Sequence, residues 1–186
     1  FGRPGRPRSK ALATPALDED TLTMAFEAAG DALVDGQTPG TIIAISQSPP
    51  FGLRKLSATL GRALGLLDAT PLDIAGHGGS LLDGFGLAEA IVGAGGAPVL
   101  VVASDHLVSY EDRVCDTLSA GAATAFLIGA DGGTATLGPV ARASREVYDV
   151  WRLGTEPEPR YRLEVLFQTY GAVTGEALSS LAEQTE

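Results

Sequence analysis

Few side chains in this sequence could perform acid–base or nucleophilic chemistry, and the two histidines come first. His77 lies in the glycine-rich stretch GHGG, and His106 directly follows the segment ASD. Imidazole is the side chain best suited to proton transfer near neutral pH. Because glycines let a ligand approach the backbone closely, His77 is the better catalytic candidate. We interpret His106 as a loop residue, with a role lining a site as the alternative.

The glycine-rich segment does not complete a familiar catalytic motif. GHGG at 76–79 resembles the oxyanion-hole loop of lipases, but the serine elbow G-x-S-x-G is absent, which argues against a hydrolase. No G-x-G-x-x-G and no P-loop lysine support nucleotide binding. Cys115 is the only cysteine, which excludes an internal disulfide framework and a cysteine-based zinc site. We therefore predict no metal site and expect a buried or interface thiol at Cys115, not a nucleophile.

Charge and hydropathy narrow the range of partners. The chain of 186 residues carries 13 basic and 23 acidic side chains, a formal charge of −10, which argues against nucleic acid as the main partner. Four cations and no acid occupy the first ten residues, so we interpret 1–17 as a basic arm. No apolar run approaches the roughly 18 residues of a membrane span, and FGRPGRPRSK lacks the apolar centre of a signal peptide. The sequence predicts a cytoplasmic protein with no membrane segment.

Hydrophobic periodicity predicts strands that alternate with helices. LDEDTLTMAFEAAGDALVDG has one apolar helical face, with Asp18 as N-cap and Gly36 as the stop. APVLVVASD, apolar from Pro98 onward, is the clearest strand. The other predicted strands are TIIAIS, PLDIAG, GAATAFLIGAD and TATLGPVARAS, and the other helices are LRKLSATLGRALGL, SLLDGFGLAEAIVGAG and a closing amphipathic helix. This order predicts an α/β fold with a parallel or mixed sheet covered by helices.

Several segments, in this order, carry a resemblance to a known family. They are DEDTLTMAFEAA, IAISQSPPFG, LDIAGHGGSLLDGFGLAEAIVGAGGAPVLVVASD, SAGAATAFLIG and YDVWR. Together they resemble the N-terminal half of 3-hydroxy-3-methylglutaryl-CoA synthases, in the thiolase superfamily, from about Arg6 to the chain end. The resemblance implies one half of a thiolase-like fold.

The resemblance also implies where catalytic residues should stand. The family has a cysteine nucleophile in a pattern similar to D-I-x-x-x-C-x-G, and a gapless match places that cysteine at Gly78, with His77 one residue away. It also has a glutamate general acid/base in a segment similar to G-T-E-x-x-P, where this chain has ISQSPP and Gln47. Glycine offers no nucleophile, and an amide does not exchange protons near neutral pH. Both catalytic positions are therefore degenerate.

The resemblance and the charge pattern divide the chain into three segments. We predict the basic arm at 1–17, the thiolase-like half-domain at 18–144 and a synthase-like extension with the closing helix at 145–186. The arm is solvated, or it lies on an acidic partner or a CoA phosphate. In the family a second half completes the site, so we expect a hetero- or homo-oligomer with a thiolase-like subunit or a zinc-ribbon/OB-fold protein. The resemblance further implies that an edge strand near APVLVVASD and the helix from Ser80 to Gly93 lie at or near that interface.

Two functions from different classes are compatible with this sequence. The first is a non-catalytic subunit of an acyl-CoA-processing complex whose nucleophile lies on a partner chain. The second is a cysteine-independent carbon–carbon lyase or condensing enzyme, aldolase-like or an acyltransferase, acting on a CoA thioester. For the second, the groups to test are His77, Ser80, Asp83 and Tyr110. Neither hypothesis requires a covalently bound cofactor.

Overall fold

The computed structural model describes residues 13–33, 36–75, 79–106, 120–151, 153 and 160–185. Their contacts divide the chain into two compact units. The first unit holds the described residues up to His106 together with 120–133, and the second holds those from Thr134 onward.

The first unit is built on a four-stranded mixed sheet. Its strands are β1 (Thr41–Ser46), β2 (Thr70–Ala75), β3 (Val99–Asp105) and β4 (Ala122–Ile128), in the spatial order β2-β1-β3-β4. β1 is parallel to both β2 and β3, whereas β4 runs antiparallel to β3. Helices α2 (Leu56–Ala63) and α3 (Ser80–Gly93) connect the parallel strands, and α1 (Thr21–Ala32) precedes β1. The predicted α/β architecture is confirmed. The expectation of an edge strand near APVLVVASD is wrong, because β3 pairs with β1 on one side and β4 on the other.

Burial follows the position of each strand in this order. All six residues of β1 are buried, and β3 is buried over its first four residues. Residues of β2 and β4, at the two edges, alternate between exposed and partly buried. This difference explains why TIIAIS and APVLVV are continuous apolar runs, while the edge strands mix apolar with small or polar residues.

Alternate side chains of the two central strands form two separate cores. Ile42, Leu100 and Val102 pack with residues of α1 and α2, including Ala25, Ala29 and Leu60. On the opposite face, Ile43, Ile45, Val99 and Val101 pack against Ala88 of α3. Two residues that are adjacent in β1 therefore belong to different cores, as the period of two along a strand requires.

Small residues let the helices lie close to the sheet. A Cβ added at Gly84 of α3 would lie 2.7 Å from Ile45 Cδ1, and one added at Gly61 of α2 would lie 2.9 Å from Ile42 Cδ1. Ser80, Gly84 and Ala88, spaced four residues apart, are the buried residues of α3. The isoleucine side chains of β1 thus occupy space that larger helical residues would need.

Both ends of α1 differ from the sequence prediction. The N-cap is Asp20, not Asp18, because Asp20 and Thr23 form a reciprocal capping box in which each side chain accepts from the other's backbone N–H. The helix ends at Ala32 with Leu33 as C-cap, before the expected stop at Gly36. Gly36 has a φ of 73° and serves the turn that follows.

The second unit contains little regular structure before its final helix. β5 (Val150–Trp151) pairs antiparallel with β6 (Arg160–Tyr161), and α4 (Leu163–Thr185) follows. The strand expected in TATLGPVARAS, residues 134–144, is wrong, since these residues have no regular secondary structure. Gly138 and Pro139 interrupt this segment, and proline cannot donate a ladder hydrogen bond. No helix in the described part of the chain is long and apolar enough to cross a membrane.

Candidate functional site

The carboxyl ends of the three parallel strands meet at one edge of the sheet. Ser46 is level with Ala75 of β2, and Ile45 is level with Ala103 of β3. The segments that leave this edge are 47–55 after β1, the residues before α3 after β2, and His106 after β3. Ligands of open α/β sheets bind outside this end of the strands. We take this edge as the candidate site.

A carboxylate at the end of β3 holds the segment that follows β1. Asp105 Oδ1 accepts hydrogen bonds from the Ser46 hydroxyl at 3.0 Å, the Gln47 backbone N–H at 2.7 Å, the Ser48 backbone N–H at 2.9 Å and the Ser48 hydroxyl at 2.9 Å. Hydrogen bonds to a charged acceptor are about twice as strong as neutral ones. The backbone of residues 46–48 is therefore fixed to the end of β3 by one oxygen atom.

The same network extends to the start of α1. The Ser48 hydroxyl accepts from the His106 backbone N–H at 2.9 Å, and the Ser48 carbonyl accepts from the Thr21 hydroxyl at 2.8 Å. The Ser104 hydroxyl, which is buried, donates to the Thr21 carbonyl at 2.8 Å. These bonds connect the segment after β1, the end of β3 and the first turn of α1 into one polar cluster.

Gln47 combines a fixed backbone with an exposed side chain. Its N–H is one of the four donors to Asp105, while the residue as a whole is exposed at the sheet edge. An amide side chain can donate and accept hydrogen bonds but does not act as a general acid or base. Position 47 can therefore orient a ligand without moving a proton.

The start of α2 is capped by a residue from a neighbouring strand. Its N-cap is Lys55, whose side chain makes no capping hydrogen bond. Instead, Asp73 of β2 accepts from the Leu56 N–H at 2.7 Å through Oδ2 and from the Ser57 N–H at 2.9 Å through Oδ1. The helix N-terminus thus receives a negative charge that its own first turn lacks.

The predicted site residues fall into three groups. Gln47 lies at the sheet edge, directly after β1, the strand between β2 and β3. Ser80 begins α3 and is buried, while Asp83, one turn later, is exposed. His77, Gly78, Tyr110 and Cys115 lie outside the described residues. The described residues contain no group of three or more side chains suited to binding a metal ion.

Sequence reasoning missed the residues that organise this edge. Asp105, Ser48 and Asp73 were not candidates, although all three make hydrogen bonds between elements distant in sequence. A signal was present, because the buried strands β1 and β3 end in the polar runs SQS and SD. Polar residues directly after buried parallel strands meet at one edge and can pair across it.

Comparison of the whole sequence with other proteins places it near one family. No protein-family model matches the chain. It is similar to hydroxymethylglutaryl-CoA synthases from Thermoplasma acidophilum (27% identity over 155 residues, 79% of this chain and 44% of the relative) and Aeropyrum pernix (28% over 158 residues, 80% and 43%). The synthase of Methanocaldococcus jannaschii gives 27% over 160 residues, with 80% and 45% covered. The chain thus spans less than half the length of these relatives.

Solved structures show the same fold. An HMG-CoA synthase complexed with CoA matches with a TM-score of 0.80 at 18% identity, covering 89% of this chain and 44% of that one. The curacin-pathway HMG synthase in complex with its holo donor-ACP gives 0.80 at 21% identity, covering 94% and 46%. A 3-oxoacyl-(acyl-carrier-protein) synthase III gives 0.71 at 21%, covering 93% and 62%. The chain therefore has a thiolase-like fold and matches the N-terminal half of a hydroxymethylglutaryl-CoA synthase-like protein.

Proposed function

We propose that this chain is a non-catalytic, thiolase-like subunit of a complex that processes acyl-CoA thioesters, with the nucleophile on a partner chain. The observation that carries the proposal is Gln47, whose backbone is held in place by Asp105 at the sheet edge while its side chain has no titratable group. In the family that this chain resembles, the corresponding position holds the general acid/base. An amide at this position cannot supply the proton transfer that the resemblance assigns to it.

Gly78 supports the same proposal from the sequence. It stands where the resemblance implies the cysteine nucleophile, and glycine has no side chain to carry an acyl group. The two hydroxyls of the Asp105 network, those of Ser46 and Ser48, both donate to Asp105, and no described hydrogen bond joins either of them to an imidazole that could activate it. The cluster holds residues 46–48 against the end of β3 and provides no activated acyl carrier.

Exposed apolar side chains support a partner at this edge. Phe51 and Leu53, in the segment after β1, are 48% and 103% exposed, and Leu82, in the first turn of α3, is 60% exposed. All three belong to segments that leave the carboxyl edge of the sheet. Exposed apolar side chains beside a candidate site are suited to contact with a partner protein. We propose a thiolase-like subunit, or a zinc-ribbon/OB-fold protein, as the partner.

The proposed substrate class is a CoA thioester. Similarity to hydroxymethylglutaryl-CoA synthases and the fold shared with a synthase that binds CoA support this choice. The acyl group is left open, since no described pocket of the chain encloses one. The chain would help to bind or position the thioester, while bond formation takes place on the partner.

Incubation with acetyl-CoA tests the loss of the nucleophile directly. We expect intact-mass spectrometry of the purified chain to show no added acetyl group. Cys115→Ser is the matched control, because Cys115 is the only thiol in the chain and its reaction would mimic catalysis. An acetyl adduct that persists in Cys115→Ser, or steady turnover of acetyl-CoA by the chain alone, would overturn the proposal.

Co-expression tests the partner. We expect the chain to co-purify with a thiolase-like subunit that has an intact cysteine, and the acetyl group to appear on that subunit. Replacing Phe51 and Leu53 by serine should weaken the complex at least tenfold, whereas serine at Leu67, which is 65% exposed and precedes β2 at the opposite end of the strand, should not. A complex unaffected by the Phe51 and Leu53 changes would exclude this edge as the interface.

His106 favours the alternative function, a cysteine-independent carbon–carbon lyase or condensing enzyme. Its imidazole follows β3 directly, it is partly buried, and its backbone is fixed by Ser48 at the same edge as Gln47. An imidazole held there is suited to proton transfer beside a thioester. Under this alternative, the chain alone would cleave or condense an acyl-CoA, and His106→Ala or His77→Ala would reduce kcat at least a hundredfold. Under the subunit proposal neither variant changes any activity of the isolated chain.

A further inference from the structure

Three cationic side chains of the first unit share one face of α2. Arg54, Lys55 and Arg62 are its only Lys or Arg among the described residues, and all three line a groove of about 470 Å³ beside α2. Ala58 and Thr59 complete the lining, and we call these five residues the α2 groove. The acidic side chains described in the same unit are Asp18, Glu19, Asp20, Glu27, Asp31, Asp68, Asp73, Asp83, Glu89, Asp105 and Asp131. The described part of the unit thus offers these three cations many carboxylates with which they could pair.

The described carboxylates do not neutralise these three cations. None of the three cations forms an ion pair with a carboxylate of the described residues. Asp73, the acidic residue that reaches the start of α2, directs both carboxylate oxygens to backbone N–H groups. Arg54 stacks over the Phe51 ring at 5.7 Å, and the Lys55 ammonium donates one hydrogen bond to the Pro71 carbonyl at 3.0 Å. These contacts orient the two cations and leave their charges uncompensated.

Two of the three cations stand at the end of α2 that is unfavourable for positive charge, and Arg62 lies in the last turn. Lys55 is the N-cap and Arg54 precedes it, at the end of the helix where the macrodipole is positive. Residues 54 and 55, 58 and 59, and 62 repeat every four positions, so they share one face of the helix. Arg54 and Arg62 are both exposed on that face. Asp73 already supplies a carboxylate to the helix start, so the positive region on this face comes from the three like charges, which an anion would stabilise.

We propose that the α2 groove is a binding site for the phosphate groups of a phosphate-ester ligand. Guanidinium groups bind phosphate oxygens through two parallel hydrogen bonds, and a lysine ammonium adds a point charge. A groove with two arginines at its ends and a lysine beside one of them fits a ligand with two phosphates better than a single carboxylate. The phosphate ester could be free CoA or the phosphopantetheine arm of a carrier protein, and the choice of these two sources rests on the proposed function.

Binding of pyrophosphate to the full chain, followed by isothermal titration calorimetry, tests the site without assuming that function. We expect R54Q/R62Q to weaken binding at least tenfold, and R54E/R62E to abolish it. R142Q/R145Q is the matched control, because it removes the same charge from the second unit, and it should bind like the unchanged chain. Affinity for pyrophosphate should also fall as the salt concentration rises. Absence of pyrophosphate binding by the unchanged chain, or equal binding by R54Q/R62Q, would overturn the proposal.

Two further titrations identify the source of the phosphate. If CoA binds the unchanged chain and its affinity falls at least tenfold in R54Q/R62Q, the result supports free CoA as the ligand. If a holo-carrier protein binds and its apo form does not, and R54Q/R62Q lowers the affinity for the holo form at least tenfold, the result supports the carrier-bound arm. If pyrophosphate binds through the groove but neither CoA nor the holo-carrier does, the phosphate site stands and the proposed acyl-CoA function fails.

Discussion

The segment after β1 and the α2 groove follow one another in sequence, yet their charges are satisfied in opposite ways. Asp105 places its negative charge against four hydrogen-bond donors from residues 46–48. The groove cations at 54, 55 and 62 have no described carboxylate to pair with. In the first region the charge holds the backbone through hydrogen bonds. In the second region the charges remain available to a ligand. Substitutions in the two regions should therefore affect different properties, namely stability in one and binding in the other.

The largest expected effect comes from Asp105. Asp105→Ala leaves the Ser46 and Ser48 donors without their acceptor, and we expect it to lower the free energy of unfolding by about 3 kcal/mol. Urea denaturation followed by circular dichroism would measure the change. Asp105→Asn keeps an acceptor oxygen without the charge and should cost about 1 kcal/mol. Asp131→Ala, an exposed acidic position of the same unit, serves as the control, and equal losses at positions 105 and 131 would contradict the role given to the network.

Asp73 lies between the two regions, because it stabilises the helix that carries the groove. Asp73→Ala exposes the Leu56 and Ser57 N–H groups at the start of α2, and we expect a loss of about 2 kcal/mol in the same urea experiment. Asp68→Ala, which removes an exposed carboxylate just after α2, is the comparison and should change stability by less than about 0.5 kcal/mol. A small effect at both positions would mean that the cap contributes little.

Ser48 tests whether the network acts as a unit. Its hydroxyl donates to Asp105 and accepts from the His106 N–H. We expect Ser48→Ala to cost about 1.5 kcal/mol alone, and clearly less when Asp105 is already alanine. A double-mutant cycle of Ser48→Ala with Asp105→Ala measures this coupling by denaturation. Additive losses would show that the two side chains stabilise the edge independently.

The groove arginines should have the smallest effect on stability. R54Q/R62Q removes repulsion between like charges, so we expect the free energy of unfolding to stay constant or to rise by about 0.3 kcal/mol. The same variant loses pyrophosphate binding, as described above. A destabilisation above about 1 kcal/mol would place the arginines among the residues that hold the fold, and the contrast with Asp105 would disappear.

The regular elements of the first unit were predictable because their sequence signals are local. The run TIIAIS and the small-residue helix at 80–93 occur where the pattern places them. The helix start at Thr21 was misplaced by two residues because Asp18 and Asp20 are both suitable caps, and the choice depends on the Thr23 hydroxyl. In residues 134–144 the β-branched and small residues suggested a strand, but a strand also needs a partner to pair with.

The candidate site was only partly predictable. Gln47 could be located from the sequence because the resemblance assigns that position. Asp105 and Asp73 act on backbone groups 57 and 17 residues away in sequence, and no local pattern reveals such pairs. The α2 groove was missed for another reason, since RKLSATLGR has ordinary helical spacing. Its importance emerges only when the rest of the unit proves to have no other described cation.

The division of the β1 side chains between two cores gives the protein a pair of built-in spectroscopic probes. The Ile42 δ1 methyl lies against Gly61 of α2, and the Ile45 δ1 methyl lies against Gly84 of α3. In a sample with labelled isoleucine methyls, a ligand in the α2 groove should shift the Ile42 signal, whereas a ligand or partner at the start of α3 should shift that of Ile45. One strand can therefore show, in a single spectrum, on which side of the sheet binding takes place.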